Sequence, residues 1–145
     1  MTEAPAEAPA EAPGETPAET IATPFERVGG AGVMQAITDR FYDLMEQDPI
    51  YAELRAIHAA DLAPMREALP LFLTGWAGGP RDWFERNPGK CMMSMHAPFP
   101  ITRQTASQWA AAMTRAIEDT AVADRTMADT MAEALTRMAT NMARD

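Results

Sequence analysis

The chain has 145 residues, enough for one domain, and a hydrophobic content of 47% suffices for a globular core. Its formal charge is −9, and the first twenty residues hold −5 of it through Glu3, Glu7, Glu11, Glu15 and Glu19 with no base among them. This balance excludes the basic footprint of a nucleic-acid binder, and an anionic membrane surface would repel the acidic end. A single cysteine, Cys91, excludes an intrachain disulfide and a cysteine-based zinc cluster.

Residues 1–22 repeat Glu-Ala-Pro-Ala with small variations. Recurring proline blocks a helix and almost no large apolar side chain is available to bury, so this segment is expected to be a disordered tail, with the folded domain over 23–145. There is no basic start followed by an apolar core, and no apolar run of bilayer length, so a cytoplasmic protein is expected. Twelve methionines against one lysine suggest an adaptable core able to line an apolar pocket.

The domain reads as helices throughout, with no strand-like alternation. Phe25 begins a short segment that ends at Gly29-Gly30. Val33, Ile37, Phe41, Leu44 and Met45 then recur at helical spacing until Asp48-Pro49. A short segment follows, with proline at a permitted helix start, and runs to His58. Asp61 suits the N-cap of the next helix, whose apolar stripe is Leu62, Met65, Leu69, Phe72, Leu73 and Trp76. Pro70 falls inside that helix, where a proline costs about 3 kcal/mol, so a kink or early break is expected. Gly78-Gly79-Pro80 opens a long connection carrying Trp83, Phe84 and the turn Asn87-Pro88-Gly89. A short helix near 90–96 ends at His96. Thr102 caps a long helix with the stripe Trp109, Ala112, Met113, Ala116 and Ile117. A last helix carries Met127, Met131, Leu135, Met138 and Met142.

The run His96-Ala97-Pro98-Phe99-Pro100-Ile101 is the chemical landmark. Neither proline can continue a helix, so His96 sits on a sharp corner. A neutral histidine held there can bond a backbone carbonyl through one ring nitrogen and offer the other to a metal. The plainer reading is a helix-ending residue with no ligand role.

In order and spacing, several landmarks resemble the second group of the truncated haemoglobins, over about Thr23 to Met142. They are Gly29-Gly30, Phe41-Tyr42, Trp76-Ala77-Gly78-Gly79-Pro80, His96-Ala97-Pro98-Phe99 and Trp109. The resemblance implies an all-α, two-over-two helical sandwich enclosing a b-type haem, with His96 as the iron ligand. It places Tyr42, His58 and Trp109 on the opposite, ligand-binding side and Met65, Leu69 and Phe72 along an apolar wall. Lys90, Met95 and Phe99 complete the haem contacts. Tyr42 and Trp109 bring hydroxyl and indole donors, and His58 a group that donates or accepts. Donors of this kind favour a polarised diatomic ligand such as dioxygen. On periodicity alone Tyr42, Trp109 and Met65 read as ordinary core. His58 also suits solvent, or iron ligation when no gas is present.

Relatives commonly carry basic residues just before the proximal histidine to pair with the haem propionates. Here the run is Lys90-Cys91-Met92-Met93-Ser94-Met95, so anchoring falls to Lys90, Arg81, Arg86 or a group elsewhere. Asp39 and Asp43 read as solvated charges. Cys91 is either a redox-sensitive thiol or, more simply, a buried or inert one. The resemblance implies binding of dioxygen and other diatomic ligands, with oxygen transport, nitric oxide or nitrite chemistry and weak peroxidase activity as candidate roles. An unidentified reductase and a monomeric or homodimeric state belong to the same expectation. The alternative is a haem-free helical module that binds a protein partner through its methionine-rich grooves.

Overall fold

The computed structural model describes residues 21–145, and most of the expected 1–22 tail lies outside the described residues. Among the described residues eight α-helices follow one another: α1 (Pro24–Val28), α2 (Ala31–Gln47), α3 (Ala52–Ala56), α4 (Ala63–Trp76), α5 (Asp82–Arg86), α6 (Met92–His96), α7 (Arg103–Asp119) and α8 (Arg125–Asn141). A 3-10 turn over Pro49–Tyr51 leads into α3, and no strand occurs among the described residues. No helix in this region is long and apolar enough to cross a membrane.

Local chemistry sets the helix boundaries. Thr23 caps α1 and Thr102 caps α7, each in a reciprocal pair with the residue three further on. Gly29 and Gly30 take φ of +129° and +87°, which lets the chain reverse sharply between α1 and α2. At the end of α2, Asp48 accepts from the Ile50 amide and starts the 3-10 turn. Asp61 does not occupy the N-cap of α4. That position falls to Leu62, while the Asp61 carboxylate accepts from the Ala63 amide at 3.0 Å, so it still satisfies a free donor one residue outside the helix. The Trp83-Phe84 connection contains a helix of its own, α5.

Two helix pairs form the sandwich. α2 lies against α4, α7 against α8, and α2 also packs on α7, so the apolar stripes meet between the layers. Phe41, Met34, Ile37, Leu73, Met113 and Ile117 are almost wholly buried there. At Gly75, a β-carbon would lie 2.6 Å from the Phe84 ring, so only glycine lets α5 close onto α4.

Pro70 does not break α4, which runs unbroken to Trp76. A proline has no N–H, so the Arg66 carbonyl one turn earlier lacks its ordinary helical partner. Gln35 Nε2 of α2 donates to that carbonyl at 3.4 Å. The Arg66 side chain turns the same way, meeting Asp43 at 2.8 Å, Glu46 at 3.3 Å and Asp39 at 3.4 Å. Asp39 and Asp43 are thus partners in a clamp between α2 and α4 and not simply solvated charges. A lone surface pair contributes about 0–1 kcal/mol, so the main effect of this network is to fix the mutual register of the two helices.

Candidate haem site

His96 closes α6, a helix of five residues with none of them buried. Cys91 caps it: the thiol accepts from the Ser94 amide at 3.4 Å, and Ser94 Oγ accepts from the Cys91 amide at 3.4 Å. Cys91 is therefore exposed, not buried, and hydrogen bonds from Ser94 hold its thiol below the usual range. Pro98 and Pro100 stop further helix, as expected. His96 Nδ1 lies 2.7 Å from the Met92 carbonyl. A carbonyl only accepts, so Nδ1 carries a proton, and in the neutral ring Nε2 is the nitrogen with the lone pair. A metal-ligating imidazole needs this tautomer.

The aromatic residues named from the sequence form a connected set. Tyr42 of α2 is 2% exposed and meets Phe41 edge-to-face at 4.9 Å. Phe41 in turn meets Trp109 of α7 at 5.4 Å. His58, just past α3, sits 6.3 Å from the Tyr42 ring, near enough to His96 for the charge of one to weigh on the other. Burial pushes the Tyr42 phenol well above its usual range, and the Arg66 guanidinium, 5.8 Å from the ring centre, only partly opposes this. The hydroxyl stays protonated and able to donate. Neither Tyr42 Oη nor Trp109 Nε1 bonds another group among the described residues. Sequence reasoning missed Thr38, one turn before Tyr42, whose enclosed Oγ1 has no partner among the described residues; no periodic signal marks it.

His58 Nδ1 lies 2.8 Å from the Leu54 carbonyl. Burial, with Arg55 and His96 adding to it, holds this imidazole below the 6.5 of a free side chain. As pH falls, the unfolded chain takes up this proton before the folded one does. The stability due to neutral His58 is therefore whole above about pH 6.5 and is lost as pH drops below it. The urea midpoint of the haem-free protein should fall between about pH 7 and 5, and His58→Gln should flatten part of that slope. Equal slopes in the two proteins would remove His58 as a source.

The remaining candidates differ in burial and neighbours. Leu69 and Met95 are half-buried against the core. Met65 and Phe99 stay 40% and 45% exposed, and Met93 of α6 is 55% exposed. Phe72 packs into an aromatic cluster with Trp83 at 5.3 Å and Phe84 at 5.6 Å. Lys90 and Arg86 are exposed and form no ion pair with a described residue, while Arg81 lies over the Phe84 ring at 4.4 Å.

These features fit a haem. No cluster of three or more His, Cys, Asp or Glu side chains able to hold a bare ion occurs among the described residues. A porphyrin brings four nitrogens of its own and asks the protein for one imidazole, unspent donors opposite polarised ligands and apolar walls. His96 would be the imidazole, Tyr42 and Trp109 the donors, and Met65 and Phe99 part of the apolar lining.

The two-layer packing of α2, α4, α7 and α8 is the architecture of a shortened globin. A protein-family model described as bacterial-like globin matches residues 23–144. The group 2 truncated haemoglobin YjbI of Bacillus subtilis is 30% identical over 95 residues, covering 66% of this chain and 69% of its own. The group II 2-on-2 haemoglobin of the plant pathogen Agrobacterium tumefaciens superposes with a TM-score of 0.81 at 29% identity, over 86% of this chain and 95% of that one. The truncated haemoglobin of the Antarctic marine bacterium Pseudoalteromonas haloplanktis TAC125 gives 0.80 at 27% identity, over 86% and 99% of the two chains. The chain belongs to the bacterial-like globins, a family of haem proteins, and within them to the group II truncated haemoglobins.

Proposed function

We propose that this protein is a cytoplasmic globin that carries a b-type haem on His96 and binds dioxygen and other diatomic ligands. Haem, when bound, supplies an open iron position and one-electron chemistry. The chain supplies the rest. His96, with Nδ1 tied to the Met92 carbonyl, presents Nε2 to the metal. Tyr42 and Trp109 donate to the polarised ligand, and neutral His58 adds a group that donates or accepts. Leu69, Met65, Phe72, Met95 and Phe99 exclude water, while Lys90, Arg81 or Arg86 meets the propionates. The observation that carries this reading is the pairing of a fixed imidazole tautomer with two unspent donors, Tyr42 Oη and Trp109 Nε1, in one small domain. Three polar side chains suit polarised ligands better than simple oxygen transport. Nitric oxide or nitrite chemistry and weak peroxide reduction, with electrons from a reductase partner, are the roles this set would serve.

Visible spectroscopy of the ferric, ferrous and carbonyl forms tests the reading. Purified protein with hemin should give an intense Soret band that moves when carbon monoxide is added to the ferrous form. A featureless spectrum after hemin addition would overturn it and leave a haem-free helical module that binds a partner through its methionine-rich grooves.

A further inference from the structure

The helix that carries His96 is poorly supported by its own packing. Five residues make a marginal helix. Met92 and Met95 touch the core only as half-buried side chains, and α6 ends in a corner with prolines at 98 and 100. Pro98 and Pro100 donate no backbone hydrogen bonds, so the carbonyls around this corner depend on nearby turns and on donors from elsewhere. Those donors arrive from the far end of the sequence. The Arg144 amide donates to the Ile101 carbonyl at 3.0 Å, and its guanidinium reaches the carbonyls of His96, at 3.5 Å, and of Phe99. The Asp145 carboxylate accepts from the Arg103 amide at 2.7 Å, at the first residue of α7. Residues 144 and 145 therefore fasten both sides of the His96 corner after the chain has crossed the whole molecule through α8. A guanidinium suits this task because its planar fork serves two carbonyls at once and never loses its charge.

We infer that Arg144, supported by Asp145, is a positioning residue that clamps the 96–101 corner and so sets how firmly His96 holds the haem iron. This rests on the reading of His96 as the iron ligand. In the full-length haem-loaded protein, Arg144→Ala should shift the iron–histidine stretching band of the ferrous form. It should also speed haem transfer to excess apomyoglobin by about tenfold, at the low end of the effects seen for partners of a metal-bound histidine. The stretching frequency of bound carbon monoxide should stay unchanged, because Tyr42 and Trp109 are untouched. Arg144→Lys keeps one donor and the charge, and should restore part of the effect. In the haem-free protein, hydrogen exchange at the Phe99 and Ile101 amides should quicken about tenfold in Arg144→Ala, while α7 amides keep their protection. Unchanged exchange at those two amides would overturn the clamp even if the wild-type protein took up no haem. In a protein that does take up haem, an unmoved iron–histidine band with unaltered haem transfer would also overturn it.

Discussion

Replacing His96 by glycine is expected to leave a folded protein that no longer retains haem. The removed side chain is half-exposed, and its one hydrogen bond, to the Met92 carbonyl, lies inside α6, so thermal stability of the haem-free form should change little. Losing only the hydrogen-bond partner of a metal-bound histidine costs about 10–100-fold in affinity, and losing the ligand itself should exceed the top of that range. Titration with hemin followed at the Soret band measures the loss. Added imidazole should restore a five- or six-coordinate spectrum by entering the space left at position 96. A variant with wild-type ferrous and carbonyl spectra and no need of imidazole would remove His96 from the iron.

Tyr42→Phe carries the second large effect, on ligand release. A hydrogen bond to a partner bearing charge contributes about 1.5–3 kcal/mol, and 1.4 kcal/mol is a factor of ten. Dioxygen dissociation followed by stopped flow should therefore accelerate about ten- to a hundredfold. Stability should hold or rise slightly, since the phenol bonds nothing among the described residues and the ring keeps its contact with Phe41. This distinguishes a donor from a packing residue. An unchanged off-rate, or a loss of thermal stability that accounts for the change, would place Tyr42 in the core only. Trp109→Leu should act in the same direction, but also cost stability through its contact with Phe41.

The long helices were legible because one face of each is apolar. Ile37, Phe41, Leu44 and Met45 on α2, and Ala112, Met113, Ala116 and Ile117 on α7, are all buried as their spacing implies. Capping chemistry marked Thr102 correctly, and Asp48-Pro49 marked the end of α2. Asp61 misled because a carboxylate one residue outside the cap can serve the same free amide. α5, a single turn between Pro80 and Pro88, is too short to show a period. Pro70 misled for another reason: its cost was reckoned within one helix, and the remedy lies on the next. The candidate haem-site residues were legible only in combination. Tyr42 and Trp109 sit on apolar stripes, and helical spacing gives no reason to set them apart from Phe41 or Met113. The Arg66 network and the Arg144 contacts left no trace, because charged side chains carry no periodic signal and both depend on which helices meet in space.

Pro70 has one more implication. Its absent amide hands the Arg66 carbonyl to Gln35, and the same Arg66 sends its guanidinium to three carboxylates of α2. Positions 35 and 70 therefore behave as one energetic unit although they stand far apart along the chain. Restoring an ordinary amide at 70 would free Gln35, while shortening Gln35 alone would leave that carbonyl to water. A residue that usually weakens a helix here ties α4 to α2 through its neighbour one turn earlier.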